Sequence, residues 1–336
     1  MSADGAPAGS APFPSREALT ICFAHVAYQM EQAFRARETG IAHFQVREGP
    51  ELAARIPAAD VLVVSGLWRN ALLEEAPRLR WIQSIGAGYD QFPLDELRRR
   101  GIRLSSARGV NRNAVSEHAM ALVLALARKL PEARDNQQRH FWRGMIGAIP
   151  RREDELTGKT LGIVGLGHIG SRTAALARAF GMRVVATKRR PEEGAGAEGV
   201  AETVWGADGV DQLLRESDFV VLHCPLTEET RGLIDARRLA LMRPSAYLIN
   251  VARGGCVDEP ALLEALRAGA IAGAGIDHFW DEPLPPVSPF WDLPHVLITP
   301  HTAGETQRYE DNVLDILLEN LGRLERGETV LLNQVV

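Results

Sequence analysis

The chain is poor in cysteine and in lysine. Its 336 residues include only three cysteines, with no CxxC pair: Cys22, Cys224 and Cys256. Few, widely spaced cysteines argue against a disulfide framework and favour a reducing, cytoplasmic compartment. Only three of the 38 basic residues are lysines. Codon bias accounts for most such arginine excess, so we ask which few arginines bind a carboxylate or a phosphate.

Other absences exclude whole classes of protein. The 38 basic residues are outnumbered by 43 acidic ones, for a net charge of -5, which disfavours a nucleic-acid partner. None of the nine histidines lies in an HExxH pattern and no acidic loop has calcium spacing, so we expect no metal site. The longest apolar run, Ala119 to Ala127, is too short to cross a bilayer, so we expect no membrane partner.

Length and patterning predict two α/β domains. A chain of 336 residues exceeds one typical domain, and its first segment, residues 1–17, is rich in Ala, Gly, Pro and Ser, as in a disordered tail. Short apolar runs then alternate with helix-like stretches, which is typical of βαβ units with a parallel sheet. Predicted strands of the first half are Leu19–Phe23, Ile41–Val46, Val61–Val64, Trp81–Ile85 and Ile102–Leu104. Those of the second half are Leu161–Val164, Arg183–Ala186, Phe219–His223, Ala246–Asn250, Ala272–Ile276 and His295–Ile298.

The strongest helix signal is Ser116 to Leu130, followed by Pro131. Its middle is apolar nearly all round, so it must be buried on several sides. A core helix between two domains and a dimer-interface helix both fit this pattern. A final helix is predicted at about Arg308 to Arg326.

A glycine-rich loop predicts a dinucleotide site. The strand Leu161–Val164 runs into GLGHIG, whose residues are Gly165, Leu166, Gly167, His168, Ile169 and Gly170, and a helix follows. The first glycine permits the tight turn, the second lets the backbone approach a pyrophosphate, and the third lets the helix pack on the strand. The N–H groups at the helix start favour phosphate charge.

The next strand ends without the acidic residue that would bond the ribose hydroxyls of NAD. Instead it runs into three cations, Lys188, Arg189 and Arg190. Cations suit a 2′-phosphate, so NADP(H) is the preferred cofactor and NAD(H) the alternative. A solvated basic loop in an enzyme that accepts both cofactors remains the competing interpretation.

Three later strands each lead to a reactive side chain at the carboxyl edge, where ligands bind in parallel sheets. Arg253 can clamp a carboxylate and polarise a carbonyl. His301 can give a proton to a forming alkoxide. Glu282, with Asp281 as a competitor, can bond the other imidazole nitrogen. Together they predict reduction of an oxo acid.

The ordered motifs GLGHIG, HCPLTEETRGLI, LINVARGGCVDEPALLEAL, DEPLP and LITPHTAG resemble those of the D-isomer-specific 2-hydroxyacid dehydrogenases. The resemblance implies that Arg253 binds the oxo acid and that Glu282, rather than Asp281, pairs with His301. It implies that Asp277 contacts the nicotinamide carboxamide and that Pro225 lies along the cofactor. In SIGAGYD, backbone N–H groups of Ala87 and Gly88 would bind the substrate carboxylate.

The same resemblance implies two Rossmann-like, flavodoxin-like domains with the active site in a cleft, and a homodimer formed through the cofactor domains. The substrate domain would comprise residues 18–115 and 301–336, and the dinucleotide-binding domain residues 116–300. Closure on cofactor binding is expected.

The sequence departs from the family pattern in two places. TKRRP is similar to the segment of NADP-linked glyoxylate and hydroxypyruvate reductases, and His278-Phe279-Trp280 stands where Val-Phe usually follows the aspartate. His278 and Trp280 either reshape the pocket or only pack. Trp68 either lines the pocket as a substrate-binding residue or only packs its loop.

The leading hypothesis is an NADPH-preferring reductase of small 2-oxo acids, such as glyoxylate or hydroxypyruvate. An NAD-linked dehydrogenase of a larger acid is the alternative within the enzymes, and a nucleotide-sensing corepressor-like protein is the alternative outside them.

Overall fold

The computed structural model describes residues 13–190 and 199–336, which form two compact units. One unit extends to Asn111 and resumes at Thr306, and the other is Arg112–Glu305. Of the predicted tail, residues 1–12 lie outside the described residues. In its described remainder, the Arg16 guanidinium donates to the Glu325 carboxylate at 2.6 Å.

The first unit is built on a parallel sheet of order β2-β1-β3-β4-β5. Its strands are β1 (Thr20–Ala24), β2 (Ala42–Val46), β3 (Val61–Val64), β4 (Trp81–Ser84) and β5 (Arg103–Ser105). Its helices before the chain leaves the unit are α1 (Met30–Arg35), α2 (Gly49–Arg55), α3 (Leu72–Glu75) and α4 (Leu94–Arg100). Leu62 and its neighbour Val63 are buried in different apolar clusters, because helices cover both faces of the sheet.

The second unit contains a longer parallel sheet. Its helices are α5 (Arg112–Ala127), α6 (Leu130–Gln138), α7 (His168–Ala179), α8 (Val210–Glu216), α9 (Ala236–Leu239) and α10 (Glu259–Arg267). Its strands are β6 (Thr160–Val164), β7 (Arg183–Thr187), β8 (Thr203–Trp205), β9 (Phe219–Leu222), β10 (Tyr247–Asn250), β11 (Gly273–Ile276) and β12 (Val296–Ile298). They are ordered β12-β11-β10-β9-β6-β7-β8. The last helix, α11 (Tyr309–Glu325), belongs to the first unit.

The prediction of an α/β fold with two parallel sheets is confirmed. The strand β8 was missed, since it is a half-buried edge strand of three residues. In the described ranges, every helix is too short or too polar to span a membrane.

The predicted helix Ser116–Leu130 is wrong in its bounds. The helix α5 covers Arg112–Ala127, and Lys129 adopts a left-handed conformation with φ of 52° that separates it from α6. Pro131 lies in the first turn of α6, where its missing N–H costs no helical hydrogen bond. It therefore helps to begin a second helix rather than ending the first.

Candidate active site

Three neighbouring strands deliver the predicted catalytic side chains to one edge of the second unit. Since β10 pairs in parallel with β11, and β11 with β12, their carboxyl ends lie side by side. Arg253 follows β10, Asp277 to Glu282 follow β11, and His301 follows β12. The His301 N–H donates to the Asp277 carbonyl at 3.0 Å, which ties the last two loops together.

An acid–imidazole pair lies at the centre of the site. His301 Nδ1 and Glu282 Oε2 are 2.5 Å apart. Burial raises the pKa of Glu282, but the hydrogen bonds from His301 and from the Phe279 N–H outweigh it, and the pKa lies below its ordinary value. The ionised carboxylate therefore fixes Nδ1 as the donor and leaves Nε2 as the nitrogen that can exchange a proton with a substrate.

Asp277 holds the loop that carries His301. Its buried carboxylate accepts from Thr299 Oγ1 at 2.6 Å and from the N–H groups of Thr302 and Ala303 at 2.9 and 3.1 Å. His301 adopts a left-handed backbone with φ of 55°, which is uncommon for a residue with a side chain. The bonds to Asp277 stabilise the chain on both sides of this conformation.

Sequence reasoning missed His118, on α5. Its Nε2 lies 3.0 Å from Thr299 Oγ1 and 3.8 Å from Asp277 Oδ1. A lone histidine in a buried helix carries no sequence signal for this position, since its partner is 181 residues away.

Arg253 leaves the sheet through a tight turn. Asn250 supports the turn, because its Nδ2 donates to the Arg253 carbonyl at 3.1 Å and its Oδ1 accepts from the Ala252 N–H at 3.1 Å. A Cβ on Gly254 would lie 2.1 Å from the backbone carbon of Phe279. Only glycine permits this approach. It brings the loop of the exposed Arg253 against the loop that carries Glu282.

These groups line a pocket of about 680 Å³ within the second unit. Arg253, Glu282 and His301 are among the charged and titratable residues that line it. His278 and Trp280 line it too. A cation, a carboxylate and an imidazole in one pocket can bind an anionic substrate and transfer a proton to it.

His278 and Trp280, the two unusual residues after Asp277, differ in burial and in their contacts. His278 is buried, and its ring centroid lies 4.0 Å from that of His301. Burial, followed by the neighbouring His301, lowers the pKa of His278 to about 4, so the ring is neutral at neutral pH. Trp280 is half exposed and its Nε1 donates to the Val257 carbonyl at 2.8 Å.

The glycine loop has the form that a dinucleotide cofactor requires. Gly165 has φ of 102°, and a Cβ there would lie 2.8 Å from the Cys224 nitrogen. A Cβ on Gly170 would lie 2.4 Å from the Gly165 carbonyl oxygen. A Cβ on Gly167, by contrast, would meet nothing within 4 Å. The helix α7 begins at His168, followed by Ile169, so first-turn N–H groups adjoin this open space, and the cradle fits a pyrophosphate.

The basic segment adjoins this loop. The N–H groups of Gly165 and Leu166 donate to the Thr187 carbonyl at 3.1 and 2.9 Å. Lys188 follows directly and is half-buried, and Arg189 and Arg190 are exposed. Residues 191–198, which include the proline of TKRRP, lie outside the described residues.

Pro225 is exposed two residues after His223, whose N–H donates to the Val164 carbonyl at 2.8 Å. Its own carbonyl accepts from Thr230 Oγ1 at 2.6 Å. The segment around Pro225 therefore borders the glycine loop. This position is the one expected of a residue that lies along the cofactor.

The remaining predicted residues belong to the first unit. Ala87 and Gly88 are exposed in the loop after β4, and Ser84 Oγ donates to the Gly88 carbonyl at 3.3 Å. Trp68 is 7% exposed, with its ring 5.1 Å from that of Phe92. This burial favours the packing alternative for Trp68.

A doubly wound parallel sheet, a glycine cradle and an acid–imidazole pair at the same carboxyl edge define a dinucleotide-dependent oxidoreductase. Residues 120–303 match the family model described as D-isomer specific 2-hydroxyacid dehydrogenase, NAD binding domain. The chain belongs to the D-isomer-specific 2-hydroxyacid dehydrogenase family.

Named relatives cover most of the chain. It is 40% identical over 281 residues to glyoxylate/hydroxypyruvate reductase B of Yersinia enterocolitica, covering 81% of this chain and 82% of that one. It is 38% identical over 286 residues to glyoxylate reductase of Thermococcus litoralis, covering 82% and 84%. The crystal structure of an NADPH-dependent glyoxylate/hydroxypyruvate reductase from Sinorhizobium meliloti is similar with a TM-score of 0.77 and 27% identity, covering 95% of this chain and 97% of that one.

The glycine cradle gives a paired prediction. Gly170→Ala should lower the free energy of unfolding by about 1–3 kcal/mol, because the methyl group overpacks the helix–strand contact. The added methyl group of Gly167→Ala would meet open space, so this variant should be as stable as the parent. It should nevertheless bind the cofactor about tenfold or more weakly, because the backbone can no longer approach the pyrophosphate. Urea unfolding and NADPH fluorescence titration measure the two effects. Unchanged binding by Gly167→Ala would exclude the loop as the pyrophosphate site.

Proposed function

We propose that the protein reduces small 2-oxo acids, such as glyoxylate or hydroxypyruvate, to D-2-hydroxy acids, with NADPH preferred over NADH. The observation that carries the proposal is the pairing of His301 with Glu282 in the pocket that Arg253 lines. The names of the Yersinia and Thermococcus relatives support the substrate class.

Each side chain has a defined task in this reaction. Arg253 binds the oxo acid and polarises its carbonyl. His301 gives a proton from Nε2 to the carbonyl oxygen as that oxygen becomes an alkoxide. Glu282 orients the ring and stabilises its protonated form. The chemistry that the reduced cofactor supplies when bound is hydride transfer to the carbonyl carbon.

The other assignments rest on the family resemblance. Asp277 is proposed to contact the carboxamide of the cofactor, and Ala87 and Gly88 to bind the acid group of the substrate through their N–H groups. For Asp277 the carboxylate oxygens already accept bonds from the loop after β12. Any contact with the cofactor would therefore share an acceptor that also positions His301.

The preference for NADPH is supported by the position of the cations. Lys188, Arg189 and Arg190 follow β7, whose last carbonyl bonds the glycine loop. A 2′-phosphate carried by a dinucleotide in that loop would meet positive charge, and the Sinorhizobium relative is named as NADPH-dependent.

We also propose a homodimer. Between α6 and β6 the chain exposes four large apolar side chains, with Trp142 and Met145 each 96% exposed: Phe141, Trp142, Met145 and Ile149. An exposed apolar segment of this kind is typical of a protein–protein interface.

His301→Gln should reduce kcat for glyoxylate about 10²–10⁴-fold, because the proton donor is lost. Steady-state NADPH oxidation measures this, with hydroxypyruvate, pyruvate and phenylpyruvate as further substrates. The matched control is His295→Gln, which changes an exposed histidine of the same unit. Near-normal turnover by the His301→Gln variant would show that His301 is not the proton donor. A folded, cofactor-binding protein that turns over none of these acids would favour the binding-protein alternative.

Arg189→Ala should lower the ratio of kcat/KM with NADPH to kcat/KM with NADH by about ten- to a hundredfold. The reason is that one charge-assisted hydrogen bond contributes roughly 1.5–3 kcal/mol. Arg267→Ala is the control, because Arg267 is an exposed arginine of α10 that pairs with Glu264. Equal efficiency of the parent enzyme with both cofactors would contradict the preference.

Replacing Trp142 and Met145 together by Asp should convert a dimer to a monomer, because two charges would be buried in the interface. Light scattering after size-exclusion chromatography measures the mass. Val287→Asp changes a side chain that is 91% exposed elsewhere in the unit and should leave the mass unchanged. A monomeric parent, or a double variant that remains dimeric, would refute the interface.

A further inference from the structure

Three potential metal ligands meet at one point in the pocket: His278, Glu282 and His301. Their ligand atoms all lie within 4.8 Å of one another. Glu282 Oε2 is 2.5 Å from Nδ1 of His301, and Glu282 Oε1 is 3.4 Å from Nδ1 of His278. Two imidazoles therefore direct the same ring nitrogen to the two oxygens of one carboxylate.

His278 has a buried ring nitrogen that needs a binding partner. Its side chain is 5% exposed, and its buried Nδ1 has no hydrogen-bond partner among the described residues, since the approach to Glu282 at 3.4 Å lacks hydrogen-bond geometry. Its Nε2 lies 3.6 Å from an oxygen of Asp277, so the ring is held between two carboxylates. Buried polar atoms are rarely left unpaired, because the loss of water is then not compensated. A cation between His278 and Glu282 would satisfy this nitrogen.

We propose that His278, Glu282 and His301 form an inhibitory binding site for a divalent transition-metal ion of the zinc class. Two imidazoles and one carboxylate are ligands that zinc accepts, with bonds of about 2.0–2.2 Å. In a tetrahedral complex with such bonds, ligand atoms are roughly 3.3 Å apart. The contact of His278 Nδ1 with Glu282 Oε1, at 3.4 Å, already has this spacing. The contact of His301 Nδ1 with the other oxygen, Oε2, is 2.5 Å and must open by roughly 0.8 Å to reach it.

The surroundings allow an ion to enter and leave. The side chains of His301 and Glu282 are 53% and 35% exposed, whereas His278 forms the buried wall. The three ligands leave a fourth position open toward the pocket, where water or a small carboxylate can bind.

Inhibition follows from the geometry and rests on the proposed function. The ion binds the lone pair of Nδ1 of His301, so the single proton of the neutral ring lies on Nε2 and Glu282 loses its hydrogen bond with the ring. While the ion is bound, His301 cannot form the imidazolium that donates a proton to the substrate. Occupation of the site therefore excludes catalysis.

The binding test uses the full chain, freed of metal with a chelator and without cofactor. Calorimetric titration with zinc chloride should give one ion per chain, and cobalt(II) should give the visible absorption bands of a tetrahedral complex. His278→Val should weaken zinc binding by more than about tenfold, since losing even an outer hydrogen-bond partner of a ligand costs 10–100-fold. His295→Gln is the matched control and should bind zinc as the parent does.

Further arms separate the alternatives. If His278→Val does not fold, as judged by circular dichroism, Glu282→Gln replaces it and should show the same loss. Zinc held instead by the buried thiols of Cys224 and Cys256, whose sulfurs are 3.9 Å apart, would survive both substitutions. Unchanged binding in the folded variants, or no binding by the parent, overturns the proposal.

The activity arm is read separately from binding. Zinc should inhibit glyoxylate reduction by the parent, a chelator should restore it, and the zinc concentration for half inhibition should rise in His278→Val in parallel with the binding constant. A protein that binds zinc with the expected pattern but reduces no oxo acid would retain the metal site and refute only the proposed function. Normal turnover that zinc at saturating concentration does not inhibit would refute the inhibitory role.

Discussion

The buried carboxylate of Asp277 is the constraint on which the catalytic edge depends. Asp277 directly follows β11, and its carboxylate accepts three hydrogen bonds from the segment Thr299 to Ala303 that follows β12. His301 lies inside that segment with a left-handed backbone. Without the carboxylate, the N–H groups of Thr302 and Ala303 would lose their acceptor, and these bonds would no longer offset the cost of the strained residue. The position of the imidazole is therefore a consequence of Asp277 as much as of Glu282.

A second constraint is the close approach of the loops. Gly254 lies so near the backbone of Phe279 that any side chain would collide with it, and this contact fixes the distance from the arginine loop to the acidic loop. Parallel strands alone would bring the loops to one edge. The glycine brings them into contact, so that Arg253 and Glu282 line the same pocket.

Much of this arrangement could be predicted from the sequence, because parallel strands place their carboxyl ends together. Arg253, Glu282 and His301 each follow an apolar strand, and the glycine loop follows another. The remainder depended on contacts between distant residues. His118 and Thr299 are 181 positions apart. The break at Lys129 depends on a left-handed residue for which the apolar pattern of α5 gives no sign.

The sulfurs of Cys224 and Cys256 illustrate the same limit. They are 32 residues apart in a sequence without a CxxC pair, yet they lie 3.9 Å apart, because both follow neighbouring strands, β9 and β10. The topology determines such proximity, and spacing along the chain does not reveal it. His278 is a similar case, since only the fold shows that the residue after Asp277 contacts both members of the acid–imidazole pair.

The distribution of charge along the ligand edge of the second unit matters more for binding than the net charge of the chain. A net charge of -5 gives no reason to expect anion binding. However, the sheet of the second unit carries cations after β7 and an arginine after β10, at the same carboxyl edge, and the helix start at His168 adds N–H groups nearby. A phosphorylated dinucleotide and a 2-oxo acid are both anions, and each would meet positive charge at that edge. Many of the other arginines are paired with carboxylates on the surface, as Arg237 and Arg238 are with Asp211. The arginines for which we propose a function share a different place, since each follows a strand of the parallel sheet at the edge where ligands bind.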